Sequence, residues 1–73
     1  MAKYKVEARG HKMDADFRSI SKECALGVYS QLRGKASDFF CIRMWDLETG
    51  EIYRSCTIEE DGSGYSICEF IAK

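Results

Sequence analysis

The sequence predicts an α+β fold of two layers, in which one helix packs on one face of an antiparallel sheet of four to five strands. Several short segments alternate apolar and polar residues, as half-buried strands do, and only one segment has helical spacing with suitable caps. The predicted order is ββαβββ. The chain has 73 residues, so we expect a single domain spanning 1–73 with one thin core.

The first two elements are predicted to be strands joined by a turn. The segment KYKVEARG places Tyr4, Val6 and Ala8 on one side and charged residues on the other. The segment KMDADFR alternates again after a turn at Arg9–Lys12. Aspartate is a poor strand former, so a loop closed by Phe17 is the alternative for this second segment.

The segment SISKECALGVYSQLRGK is the predicted helix. Ser19 or Ser21 can cap its first turn, and Gly34 is suited to end it in a left-handed conformation. Gly27 lies in its interior, where it would allow a close approach to the sheet. The apolar stripe expected to face the sheet recurs at four-residue spacing, with Ala25 beside it: Ile20, Cys24, Val28 and Leu32.

The next two strands, SDFFCIRMW and EIYRSCTIEE, are predicted to form a hairpin closed by DLETGE, with Gly50 left-handed. Antiparallel pairing about that turn predicts three cross-strand pairs: Trp45 with Tyr53, Arg43 with Ser55 and Cys41 with Thr57. The opposite face of the hairpin is apolar and is expected to contact the helix: Phe40, Ile42, Met44, Ile52, Cys56 and Ile58.

After a DGSG turn, YSICEFIAK is predicted to form the last strand. Both of its faces are partly apolar, so the pattern alone does not fix its register. We favour Ile67 and Ile71 inward, which leaves Glu69 as the one misfit. Phe70 would then lie on the opposite face.

One helix can cover only one face of the sheet, so the other face is the candidate binding surface. Aromatic residues and arginine dominate binding hot spots, although a cross-strand aromatic pair also stabilises a hairpin by itself. The predicted partner-binding residues are Phe39, Arg43, Trp45 and Tyr53, with an acidic rim formed by Glu48, Glu59, Glu60 and Asp61. The alternatives are solvated turns for the acidic residues and a homodimer interface for the open face.

Charge and hydropathy restrict the partners. The net charge is −1 and no basic stripe is present, which disfavours nucleic acid and anionic membranes. No apolar run reaches the length of a membrane span, and MAKYKVEARG lacks the core of a signal peptide. We therefore expect a cytoplasmic protein.

The chemistry-bearing residues do not predict an enzyme. The four cysteines, Cys24, Cys41, Cys56 and Cys68, lack zinc-site spacing, and we expect buried, reduced thiols, with disulfides or a metal as the alternatives. His11 lies near Asp14 and Asp16, so a divalent metal site or a thiol enzyme using Cys24 is the lowest-ranked alternative. No metal and no cofactor are predicted.

The strand–turn–strand followed by a helix beginning SISKECALG resembles, in element order, small phage-encoded inhibitors of host enzymes. These include inhibitors of host RNA polymerase and some anti-CRISPR proteins. The chain departs from the polymerase inhibitors in its additional C-terminal hairpin and its less acidic helix. The resemblance implies a non-enzymatic protein that inhibits or redirects a larger host machine, such as RNA polymerase or a defence nuclease complex, in the host cytoplasm.

Overall fold

The computed structural model describes residues 1–60 and 62–72. Its strands are β1 (Tyr4–Arg9), β2 (Asp14–Ser19), β3 (Cys41–Asp46), β4 (Glu51–Glu60) and β5 (Tyr65–Ile71). The helix α1 (Lys22–Arg33) lies between β2 and β3 and is followed by a short 3₁₀ helix, Ala36–Asp38. The five strands form one antiparallel sheet in the order β2-β1-β3-β4-β5. The predicted α+β class, with one helix and an antiparallel sheet, is confirmed.

The core lies between α1 and one face of the sheet. α1 packs mainly over β1, β2 and β3, and its Lys22 and Arg33 also reach Tyr53 of β4 and Glu69 of β5. Because side chains alternate along a strand, each strand contributes every second residue to this layer. The buried sheet residues are Val6 and Ala8 from β1, Ile42 and Met44 from β3, and Cys56 and Ile58 from β4.

The helix contacts the sheet through a different stripe from the one predicted. Ala25 and Tyr29 are its buried residues, whereas Ile20 is 68% exposed and Cys24 is also exposed. Val28 and Leu32 pack at the margin of the core. The helix is therefore rotated relative to the prediction, so that the large ring of Tyr29 fills the interior.

The predicted N-terminal cap of α1 is confirmed, whereas the predicted conformation at its C-terminal end is wrong. Ser21 is the N-cap and its Oγ accepts a hydrogen bond from the Cys24 N–H at 3.2 Å, as expected for a capping serine. Ser19 Oγ accepts from the Ser21 N–H at 3.0 Å. Gly34 ends the helix with φ −67°, so the predicted left-handed conformation is wrong. The prediction for Gly27 is also wrong, because nothing lies within 4 Å of the place where a Cβ would stand.

The β3–β4 hairpin contains a bulge that the prediction lacks. Arg43 pairs with Ser55 and Cys41 with Thr57, as predicted, but the register then shifts between Met44 and Trp45. Trp45 pairs with Ile52, which leaves Tyr53 as the extra residue. The Trp45–Tyr53 pair is therefore wrong. Ile52 shares the face of Trp45, and Tyr53 packs against the core.

The turn of this hairpin follows its prediction. Gly50 has φ +76°, a left-handed conformation that glycine adopts without steric cost. Its N–H donates to the Asp46 carbonyl at 2.8 Å, and Asp46 Oδ1 accepts from the Glu48 N–H at 2.9 Å. The side chain of Asp46 therefore closes the turn from within.

The predicted environments of the adjacent Phe39 and Phe40 are both wrong: Phe39, predicted on the open face, is buried, and Phe40, predicted in the core, is exposed. Phe39 is 5% exposed and belongs to the core, because the 3₁₀ helix that precedes it carries its ring inward. Phe40 is 42% exposed, although the alternation of β3 assigned it to the apolar face.

Gly10, in the turn between β1 and β2, is closely packed, since a Cβ at this position would stand 2.8 Å from the Met13 carbonyl oxygen.

The described cysteines are free thiols, but only one of them is buried. Cys56 lies in the core, Cys41 is half-buried, and Cys24 and Cys68 are exposed. Burial is the leading influence that raises the pKa of the Cys56 thiol, which favours its neutral form. The expectation of four buried cysteines is therefore wrong for the other three.

Candidate functional site

The face of the sheet opposite α1, which we call the open face, is the candidate site. Strand register arranges its residues in three rows across the sheet. The middle row runs Asp16, Glu7, Arg43, Ser55 and Phe70. The outer rows run Asp14, Arg9, Cys41, Thr57 and Cys68 on one side, and Arg18, Lys5, Trp45 and Ile52 on the other. Charged residues therefore dominate β1 and β2, and β5 contributes an aromatic ring.

Ion pairs occupy the β1 and β2 part of the open face. Glu7 contacts Lys5 Nζ at 3.1 Å and Arg9 Nη2 at 2.6 Å, and Arg9 also reaches Asp16 at 3.6 Å. Burial raises the pKa of Glu7, but the hydrogen bond and charge of Lys5, together with Arg9 and Trp45, lower it by more, so the net pKa lies below its usual value. We call these four charged residues the Glu7 network.

Trp45 lies on the open face as predicted, but it is half-buried there. Its register neighbours are Lys5 on β1 and Ile52 on β4. The indole Nε1 is buried and has no hydrogen-bond partner of good geometry among residues 1–60 and 62–72. It nevertheless lies close enough to the Glu7 carboxylate to help lower the pKa of that group. The indole ring of Trp45 is therefore partly covered by its neighbours and does not protrude from the sheet.

Arg43 is the exposed member of the predicted Phe39, Arg43, Trp45 and Tyr53 set. It is exposed at the centre of β3, which is the middle strand of the sheet. It forms no ion pair within the described part of the chain, although Glu7 is its register neighbour, because that carboxylate already binds Lys5 and Arg9. Phe70 lies two strands away in the same row, about 10 Å from Arg43 at the usual strand spacing, and is 53% exposed.

Tyr53 lies on the other side of the sheet from Trp45. Lys22 Nζ, from the first turn of α1, stands 4.5 Å from the centroid of its ring, and the Arg54 guanidinium carbon stands 5.9 Å away. A hydrogen bond to Tyr53 is the leading influence that raises the pKa of Lys22. These cation–π contacts anchor the ring against the helix N-terminus, so Tyr53 is not part of the open face.

The remaining predicted site residues do not form one surface. Phe39 is in the core. Glu48 is in the β3–β4 turn, where it contacts Lys3 Nζ at 3.5 Å, whereas Glu59 and Glu60 are exposed at the far end of β4. The ten residues of β4 separate these two acidic positions by roughly 30 Å. Asp61 lies outside the described residues.

The structure adds a cavity that the sequence reasoning missed. It has a volume of about 150 Å³ and lies at the end of the sheet beyond the helix, where the rings of His11 and Phe40 are in tilted contact with their centroids 5.2 Å apart. Tyr65 and Glu60 also line it. The available signal for it was Phe40, an aromatic residue just before β3 that the alternation pattern had assigned to the apolar face.

No catalytic arrangement emerges from the candidate residues. His11 lies at the end of the sheet near the 3₁₀ helix, whereas Cys24 is in the first turn of α1, so the helix separates the proposed base from the proposed thiol. Within the described ranges, no group of three or more His, Cys, Asp or Glu side chains is placed to hold a metal ion.

Among the described residues, no helix combines the length and the apolar character needed to cross a bilayer. α1 has 12 residues, which corresponds to about 18 Å.

Comparison with protein-family models, with curated proteins and with solved structures finds no match.

Proposed function

We propose that this chain is a non-enzymatic protein-binding domain whose open face contacts a larger protein. The observation that supports the proposal is the position of Arg43, an exposed cation at the centre of the sheet with no ion pair to the described residues. The half-buried Trp45 lies two residues along β3, and the exposed Phe70 lies two strands away in the same row. Arginine beside aromatic residues is the composition that most often supplies binding energy.

The ion pairs define what the partner surface offers. The Glu7 network satisfies its own charges, so β1 and β2 present a nearly neutral polar border. Arg43 has no such partner among the described residues and can donate hydrogen bonds to a carboxylate of another protein, while Trp45 and Phe70 supply apolar area. The proposed partner surface therefore carries an acidic residue next to apolar ones.

The resemblance in element order extends the proposal to a class of partner. Small phage inhibitors act by occupying a surface of a large host enzyme, so the first partners to test are bacterial RNA polymerase and a defence nuclease complex. An inhibitory role of this kind requires binding alone.

The test measures binding of the purified chain to immobilised RNA polymerase and to a nuclease complex, followed by quantitative capture from bacterial lysate. Arg43→Ala and Trp45→Ser should each weaken binding by about tenfold or more, as hot-spot residues do. Arg18→Ala is the matched control, because Arg18 is an exposed arginine on the same face but in the outer strand β2.

Circular dichroism of each variant verifies that the fold persists. Equal binding by the wild type, Arg43→Ala and Trp45→Ser would contradict the open face as the binding surface. A loss of binding in Arg18→Ala that equals the loss in Arg43→Ala would show attraction by net charge rather than a specific contact.

A further inference from the structure

The two edges of the sheet differ in how they are protected against pairing. β2 carries Asp14, Asp16 and Arg18 along its edge, and charges of this kind discourage another strand from adding there. β5 forms the other edge with the sequence YSICEFI, which contains no lysine, arginine or proline. Its single charge, Glu69, is already bonded to Arg33 Nε at 3.0 Å.

The hydrogen bonds of the sheet show which backbone groups of β5 face outward. The Ala72 N–H donates to the Tyr53 carbonyl at 2.9 Å, toward β4. Because backbone direction alternates along an antiparallel strand, Ser66, Cys68 and Phe70 also bond to β4. The backbone N–H and C=O groups of the intervening residues, Tyr65, Ile67, Glu69 and Ile71, therefore point away from the sheet.

An independent hydrogen bond on the other side of β4 agrees with this assignment. The Ile58 N–H donates to the Phe40 carbonyl at 3.0 Å, toward β3. The neighbouring Thr57 and Glu59 consequently face β5, where their register partners are Cys68 and Ser66.

We propose that a second copy of this chain pairs antiparallel along β5, so that two sheets join into one across a two-fold axis at Cys68. In this register Tyr65 of one copy lies opposite Ile71 of the other, and Ile67 lies opposite Glu69. All four outward-facing residues of each strand then exchange hydrogen bonds. Cys68 meets Cys68 of the other copy in the non-bonded type of pair, in which side chains approach most closely.

Charge selects this register over its neighbours. Moving the axis by one residue to Glu69 would place two carboxylates directly opposite each other, which is destabilising. Moving it to Ile67 would leave Ile71 unpaired. With the axis at Cys68, each Glu69 keeps its own Arg33 and faces an apolar side chain.

The surroundings of β5 favour a second copy as the occupant. α1 packs mainly over β1, β2 and β3 and reaches β5 through the side chains of Arg33 and Glu69, so it does not cover the outward-facing backbone of β5. Tyr65, Phe70 and Ile71 are each more than half exposed and are distributed over both faces, so both sides of the joint gain apolar contact. The dimer is closed, because its remaining edges are the charged β2 strands.

The first experiment uses the thiols as distance probes in a Cys24→Ser/Cys41→Ser background. Diamide removes two electrons and two protons from a pair of thiols to form a disulfide. A non-bonded pair has a Cα···Cα distance of about 4.5 Å, within the range that a disulfide spans. We expect a covalent dimer in this background and none when Cys68→Ser is added, and equal cross-linking in both would overturn the proposal.

The second experiment does not depend on the thiols. Sedimentation velocity over a range of micromolar concentrations should show a dimer for the wild type and at least a tenfold larger dissociation constant for Ile71→Lys. Ile20→Lys is the matched control, since Ile20 is an exposed isoleucine away from β5, and it should leave the dimer intact. A monomer at every concentration would overturn the inference, as would a dimer unaffected by Ile71→Lys.

Arg43→Ala separates this inference from the proposed function. It should preserve the dimer, because Arg43 lies in β3 at the centre of the sheet. Loss of the dimer in Arg43→Ala with retention in Ile71→Lys would place self-association on the open face and would contradict pairing along β5.

Discussion

Tyr29 carries a hydroxyl into the core without a hydrogen-bond partner among the residues that the structure describes. Its side chain is 2% exposed, and burial is the leading influence that raises its pKa to about 12. A buried polar group without a partner costs about 1–3 kcal/mol of stability. The ring of Tyr29 therefore stabilises the core by packing, whereas its buried hydroxyl lowers the stability.

Tyr29→Phe removes that cost while keeping the ring. We expect the free energy of unfolding to rise by about 1 kcal/mol, measured by urea denaturation followed by circular dichroism. Tyr65→Phe is the control, since Tyr65 is 54% exposed and the same change there should have little effect. A less stable Tyr29→Phe variant would show that the hydroxyl is satisfied in solution.

Single residues also mark where sequence reasoning reached its limit. Trp45 and Arg43 lie on the face that alternation assigns to them, because the regular part of β3 obeys the period of two. Phe39 and Phe40 exchange environments, because the choice between neighbouring aromatic residues depends on a three-residue 3₁₀ turn that has no sequence period.

The helix illustrates the same contrast within one element. Its extent and its Ser21 cap are readable from local chemistry, since the capping hydroxyl and the apolar spacing occur within the segment itself. Which face of the helix turns toward the sheet cannot be read from the segment, because a stripe through Cys24 and a stripe through Ala25 both recur every four residues. The layer beneath decides between them, and it accommodates the small Ala25 and the large Tyr29.

Gly27 weakens α1 without a compensating contact. It is exposed in the middle of the helix and nothing lies within 4 Å of a Cβ at this position. Gly27→Ala should therefore raise the free energy of unfolding by about 0.5–1 kcal/mol, because alanine loses less backbone entropy in a helix.

Thermal and urea denaturation measure the stability gained in Gly27→Ala. Gly50→Ala is the control for which the same change should lower the stability. Gly50 has φ +76°, where a side chain costs roughly 1–2 kcal/mol, so that variant should be less stable than the wild type. A loss of stability in Gly27→Ala would contradict the interpretation that this glycine only weakens the helix.

Charge is distributed unequally over the molecule as a whole. The layer between α1 and the sheet contains no buried polar or charged residue among those described, whereas the opposite side holds the Glu7 network. The pKa of Glu7 is lower in the folded chain than its ordinary value of 4.5, so its contribution to stability is present above that value and is lost as the pH falls through the folded pKa.

Glu7→Gln should reduce the dependence of the unfolding free energy on pH below 4.5. Urea denaturation at neutral pH and at successively lower pH values measures the difference from the wild type. Glu51→Gln is the control, because Glu51 is an exposed carboxylate outside the Glu7 network. Identical acid profiles for the wild type and Glu7→Gln would contradict a stabilising role for these ion pairs.

The overall architecture follows from the sequence more completely than the candidate site does. One helix and a set of alternating segments specify two layers, and two layers leave one face of the sheet uncovered. Membership of that face depends on register, which a single extra residue alters. Tyr53 and Ile52 consequently exchanged faces. The acidic turns at Glu48 and Glu60 lie at opposite ends of β4, as the hairpin pattern predicts.

The bulge at Tyr53 gives β4 a position where one residue can be removed without altering the strand pairs on either side of it. Removing this one residue would close the ladder with Ile52 still opposite Trp45 and Glu51 still opposite Asp46, and the pairing of β5 from Arg54 onward would be preserved. The strand can therefore gain or lose a side chain next to Lys22 by insertion or deletion of a single codon. Descendants of this sequence could vary the helix-side surface at that point while the opposite side of the sheet is inherited unaltered.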